Sequence, residues 1–223
     1  KNKESPYSDI ADNTRYQRKP RTHSTLEAAL NYTARTYRKA IWSEKDIYLE
    51  IWLEKEALSS VIFDATSLYD VPLMVTRGYP SLSFTHTAAE SITAINKETH
   101  ILYFGDYDPS GVNISENLEQ TLRGFLIDLD FNQDFTFKRV AVTREQIEAL
   151  NLPTRPTKKT DSRAKNFEGE SVELDAIMPR DLREMVAQEI TNFIDEDELM
   201  TIAQTEHFEK ETLKRVAERW RFA

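Results

Sequence analysis

The stretch ILYFGDYDPSGVNI, residues 101–114, carries two kinds of signal in one run. Ile101 to Phe104 is apolar and aromatic enough for a strand buried on both faces. Pro109 to Gly111 is the chemistry of a turn that starts a helix. Between them stand two carboxylates, Asp106 and Asp108. A strand that runs directly into a helix is the joint of an α/β unit, and in open α/β sheets ligand sites lie beyond the carboxyl ends of the strands. The two aspartates occupy such a place.

The pattern on either side repeats the same joint. DIYLEIWLE, residues 46–54, alternates Ile47, Leu49, Ile51 and Leu53 with other side chains, the period of a strand, and it stops at Glu54. EKEALSSVIFDATSLY puts Ala57, Leu58, Val61, Ile62, Ala65, Leu68 and Tyr69 at helical spacing. VPLMVT is a short β-branched run, RGYPS is a turn, and residues 82–96 have helical spacing. After the quoted stretch, SGVNISENLEQTLRGFL reads as a helix, FTFKRVAV as a fourth strand and TREQIEAL as a short helix. Alternation of this kind predicts an α/β fold, a parallel sheet of about four strands flanked by helices. Residues 1–45 read as a basic arm leading into a helix, 46–177 as the α/β domain and 178–223 as C-terminal helices.

Composition narrows the function classes. The formal net charge is −9, which argues against a surface that holds nucleic acid everywhere, yet residues 1–40 carry nine Lys or Arg against four Asp or Glu. A second basic stretch, PTRPTKKTDSRAK at 153–165, lies in a long loop. There is no cysteine, so thiolate metal sites and cysteine nucleophiles are excluded, and a reducing cytoplasmic setting is the expectation. No apolar run approaches the roughly 20 residues a membrane helix needs. The opening KNKESPYSDI has neither an initiating methionine nor an apolar signal core, so export is not expected and an upstream segment is left open.

Three acids fall at predicted strand ends: Glu54, Asp106 and Asp108. Residues two apart in extended chain point to one side at roughly 6.5–7 Å, a span a hydrated divalent cation can bridge, and magnesium takes carboxylate oxygens with water and phosphate. Each acid also has a plainer reading. Asp108 before Pro109 suits a helix N-cap, and Glu54 favours the positive end of the helix it precedes. Asp106 is harder to account for in this way, because a cap candidate already stands two residues later.

WLEKEAL, TRGYPS and YFGDYDPSG, in that order and spacing, resemble the Toprim domain of the topoisomerase VI A subunit and of its relatives that make meiotic double-strand breaks. VAVTREQIEALNLP and GESVELDAI resemble later segments of that family, so the likeness covers about residues 46–177. It implies a Rossmann-like Toprim fold, a glycine turn at Gly78, and one or two Mg2+ ions held by Glu54, Asp106 and Asp108. It also implies DNA as partner, a homodimer, and strand breakage by a tyrosine on a winged-helix domain upstream. The roughly 50 residues before Glu54 are too few for that domain, and Tyr7, Tyr16, Tyr32, Tyr37 and Tyr48 sit in no matching motif. Lys55 and Arg77 flank the acids as phosphate contacts, with Lys158, Lys159 and Arg163 further along the strand. The expected function is thus magnesium-dependent action on the DNA backbone, by a hydrolytic nuclease or the metal half of a transesterase. The alternatives are a non-catalytic Toprim-like module that binds DNA or a partner, and another Asp-x-Asp enzyme such as a phosphotransferase.

Overall fold

A computed structural model of the protein describes residues 20–156, 167 and 170–220. The described residues divide into two compact units, one within residues 39–203 and a smaller one that joins residues 20–38 to residues 204–220. The larger unit is the α/β domain.

Its sheet has four strands, β1 (Ile47–Leu53), β2 (Leu73–Val75), β3 (Glu98–Phe104) and β4 (Phe135–Ala141), all parallel, in the order β2-β1-β3-β4. Helix α1 (Leu26–Thr36) precedes the sheet. The helices after it in the chain are α2 (Ser59–Thr66), α3 (Leu82–Ile95), α4 (Pro109–Asp128), α5 (Arg144–Ala149), α6 (Pro179–Thr191) and α7 (Glu196–Trp220). The predicted α/β class with a parallel sheet is the one observed.

The side chains of alternate strand positions divide the core in two. Leu49, Ile51, Leu53, Leu102 and Phe104 join Ile62 and Ala65 of α2 and Leu182, Val186 and Ile190 of α6 in one buried cluster. On the other face Trp52, Ile101 and Tyr103 pack with Ala88, Ala89 and Ile92 of α3 and with Ile114, Leu118 and Leu122 of α4. The two-faced burial explains the nearly continuous apolar runs of β1 and β3. Helix α6, beyond the sequence boundary drawn at 177/178, is part of the first cluster, and the compact unit runs on to residue 203.

Strand order fixes where a ligand can bind. From β1 the chain crosses outward to β2 through α2, then passes back over β1 to β3 through α3 and on to β4 through α4. The direction of winding reverses between β1 and β3, and loops leaving their carboxyl ends part company there, opening a crevice. Glu54 follows β1 directly, and Gly105 and Asp106 follow β3.

In the smaller unit α1 lies with the last part of α7. The Tyr37 hydroxyl donates to a Glu209 carboxylate oxygen at 2.5 Å, and Arg38 pairs with Glu206 at 3.4 Å. Tyr37 is thereby tied to α7. Tyr7 and Tyr16 lie outside the described residues. No helix among the described residues is long and apolar enough to cross a membrane.

Candidate functional site

The strand ends bring Glu54 and Asp106 into contact. Glu54 Oε2 accepts from the Asp106 backbone N–H and from the Tyr103 hydroxyl, each at 3.2 Å. The approach depends on Gly105. A Cβ there would come within 2.5 Å of Glu54 Oε2 and would overlap the Tyr103 ring, so a larger residue would displace the Glu54 carboxylate from this arrangement. The bend at Gly111 is similarly tight, because a Cβ there would overlap the carbonyl of Asp106.

Asp106 is anchored from the far end of the domain. Tyr107 and Val172 exchange two backbone hydrogen bonds at 2.8 Å, which lays the segment ESVELDAI, residues 170–177, against the Asp-x-Asp loop. That pairing lets the Leu174 N–H donate to Asp106 Oδ1 at 2.7 Å and brings Glu173 and Asp175 to the same rim. Asp108 plays the structural part its sequence foretold: it caps α4, with Oδ1 accepting from the Gly111 N–H at 2.6 Å and Pro109 at the first turn. Asp108 also borders a cavity of about 300 Å3 lined by Ser110, Arg155, Val172 and Glu173.

The charges are unevenly balanced. Burial pushes the Glu54 carboxyl above its usual range, and the neighbouring Asp106 pushes it further. The bonds from Asp106 N–H and Tyr103, with the charge of Arg139, only partly oppose this. Lys55 lies across the rim, its ammonium 3.4 Å from Asp106 Oδ1, 3.1 Å from Glu173 and 3.3 Å from Asp175. Burial acts to lower the Lys55 pKa, but these three carboxylates outweigh it and hold the ammonium above its usual value. Arg77 and Gly78 both take left-handed backbone, φ 55° and 81°, in the turn after β2. Arg77 is exposed and pairs with Glu56. The Gly78 N–H reaches the Glu54 carbonyl at 3.4 Å, which ties the RGYP turn to the first acid.

Each of the three acids meets its protein donors through a single oxygen: Glu54 Oε2, Asp106 Oδ1 and Asp108 Oδ1. A hard donor set of this kind suits magnesium, which takes one or two carboxylates and completes its shell with water and phosphate. Among the described residues no three Asp, Glu or His side chains form a ready-made metal cage. What the fold brings together is the pair Glu54 and Asp106, with Asp108 committed to its cap. Lys158, Lys159 and Arg163 lie outside the described residues.

Four residues at the site went unnoticed in the sequence. Tyr103 was absorbed into the apolar run of its strand. Glu173 and Asp175 lie more than sixty positions from Asp106, and no local pattern announces that contact. Arg139 did leave a trace. It follows Phe135 and Phe137 at alternate positions of β4, where the period places a side chain against α4 and Tyr103 rather than in solvent. No protein-family model matches this chain, and a search of curated proteins finds no match.

Proposed function

We propose that this is a magnesium-dependent, Toprim-type protein that binds DNA and acts on its phosphodiester backbone. The observation that carries the reading is the meeting of Glu54 and Asp106 at the point where the sheet's winding reverses, with Glu54 held above its usual pKa by burial and by Asp106. Glu54 and Asp106 bring two negative charges to one half-buried crevice, Lys55 offsets part of that charge, and a bound cation would offset the rest.

Glu54 and Asp106, with Asp108 beside them, are the residues that would hold the ion. A bound magnesium supplies charge neutralisation at the phosphodiester and at the attacking and leaving oxygens. The chain's own part is to place the acids: Tyr103 orients Glu54, and the Leu174 N–H orients Asp106. Lys55 and Arg77 frame the crevice as contacts for backbone phosphates, each moving off its acidic partners as phosphate arrives. Lys158, Lys159 and Arg163, outside the described residues, are further candidates for phosphate contact by their charge. Such contacts are sequence-blind and weaken with salt.

A second reading, a non-catalytic module that binds DNA or a protein partner, is favoured by one observation: Lys55 already provides a positive charge to Asp106. Supercoiled plasmid separates the two. The enzyme reading expects nicking or relaxation that needs Mg2+, disappears with chelator and is absent from Asp106→Ala. If wild type and Asp106→Ala leave the plasmid equally intact with Mg2+ present, while both retain it in a salt-sensitive way, the binding module is correct.

A further inference from the structure

Arg139 is an expensive residue for the fold to carry. Its guanidinium takes a core-facing position on β4, with Cζ 5.6 Å from the centre of the Tyr103 ring. Nη2 donates to the backbone carbonyl of Asp106. Nε and Nη1 are buried and meet no acceptor among the described residues. Buried donors without partners destabilise a fold, and a buried charge forgoes its hydration. Packing alone would be served better by methionine or leucine.

The contacts of Arg139 point to the acids. The peptide units of Asp106 are gripped from both directions: the N–H by Glu54 Oε2 and the carbonyl by Arg139 Nη2. Gly111 lies so close to that carbonyl that a Cβ would overlap it, so the oxygen has little room to turn elsewhere. Tyr103 completes a ring, donating to the same Glu54 oxygen while its face lies under the guanidinium. The register between β3 and β4 slips at this point, where Tyr103 pairs with Arg139 but Phe104 pairs with Ala141. Bulges of this kind re-aim side chains next to functional sites.

We infer that Arg139 is a positioning residue, a clamp on the Asp106 peptide that presents the Glu54 and Asp106 carboxylates together at the strand ends. In its consequence for metal binding the inference rests on the proposed magnesium reading; the clamp itself does not.

The test compares wild type, Arg139→Met and Arg139→Lys in the full chain by three measurements: urea denaturation, amide hydrogen exchange without metal, and Mn2+ affinity. Arg139→Met is expected to be as stable as wild type or more so. Its Asp106 amide, whose own bond to Glu54 depends on the clamp holding the loop in place, should exchange about tenfold faster or more, the scale of freeing a loop held by one charged hydrogen bond, while Ile51 and Leu102 keep their protection. Its Mn2+ affinity should fall roughly 10- to 100-fold, as when a residue behind a metal ligand is removed. Arg139→Lys, which keeps a cationic donor, should recover most of both effects. Unchanged exchange at Asp106 overturns the clamp, as does faster exchange with unmoved Mn2+ affinity in a protein that binds Mn2+. An Arg139→Met chain that fails to fold, or that loses protection across β1 and β3, makes Arg139 a prop of the sheet and also overturns it. Wild type that binds no Mn2+, with Asp106 exchange still accelerated in Arg139→Met, leaves the clamp standing and removes the metal reading instead.

Discussion

Glu50 shows how one side chain can oppose the strand that carries it. It lies on the central strand β1 and is 5% exposed, with Tyr48 OH and Trp52 Nε1 donating to its two oxygens at 2.5 Å each. Burial raises its pKa, and the two hydrogen bonds only moderate that. The native state thus holds a proton on Glu50 more tightly than the unfolded chain does. Its contribution to stability is complete below the ordinary glutamate value of about 4.3 and is lost as pH rises through the raised native value. Glu50→Gln, which does not titrate, should therefore gain in melting temperature relative to wild type as pH is raised from about 4.5 to 8. A difference independent of pH would contradict this. Asp106 stood out in sequence as a carboxylate at a buried strand end with capping already assigned to its neighbour, whereas its bonds to the Leu174 N–H and Lys55 left no sign there. Glu50 and Arg139 did not stand out, since their partners come from alternation and register rather than from any motif.

At the scale of elements, strands were easier to read than helix limits. The runs around Ile51 and Ile101 are buried on both faces, and few other structures want so many consecutive apolar residues. Helix α1 ends at Thr36, although the spacing continues to Ile41, because Tyr37 turns to extended backbone with ψ 133°. Helix α2 begins at Ser59 after a short 3-10 turn over Glu56–Leu58, so Glu54 lies ahead of the helix rather than in its first turn. The start of α4 has two duties, and substitution can separate them. Asp108→Ala should cost about 1 kcal/mol of stability through loss of the cap, and Asp108→Ser should restore most of it. If Asp108 also serves the metal, Asp108→Ser will remain deficient in Mg2+-dependent plasmid nicking at wild-type stability. Restoration of both properties by serine would confine Asp108 to capping. Helix α6 makes a separate claim, that it belongs to the core of the sheet: Leu182 is fully buried there. Leu182→Ala should cost about 2–5 kcal/mol in urea denaturation as one cooperative transition with the sheet. A loss under 1 kcal/mol, or a separate early transition, would detach α6 from that core.

For the α/β domain as a whole, alternating strand and helix signals were enough to set its class, because a strand, a helix and a parallel strand can close only as a layered sheet. The order β2-β1-β3-β4 was not legible, since it depends on which face each crossover helix covers, and that is settled by packing among residues far apart in the chain. Yet the order gives Glu54 and Asp106 their meaning. Separated by 52 positions, they meet because β1 and β3 are neighbours where the winding reverses. The central claim is that this meeting point holds a divalent cation. Crystals of the protein soaked in Mn2+, with data collected at the manganese absorption edge, test it directly. An anomalous peak in contact with carboxylate oxygens of both Glu54 and Asp106, absent from crystals of Asp106→Asn, is the predicted result; a peak lying only away from these two residues, or none with that crevice open to solvent, would contradict the account.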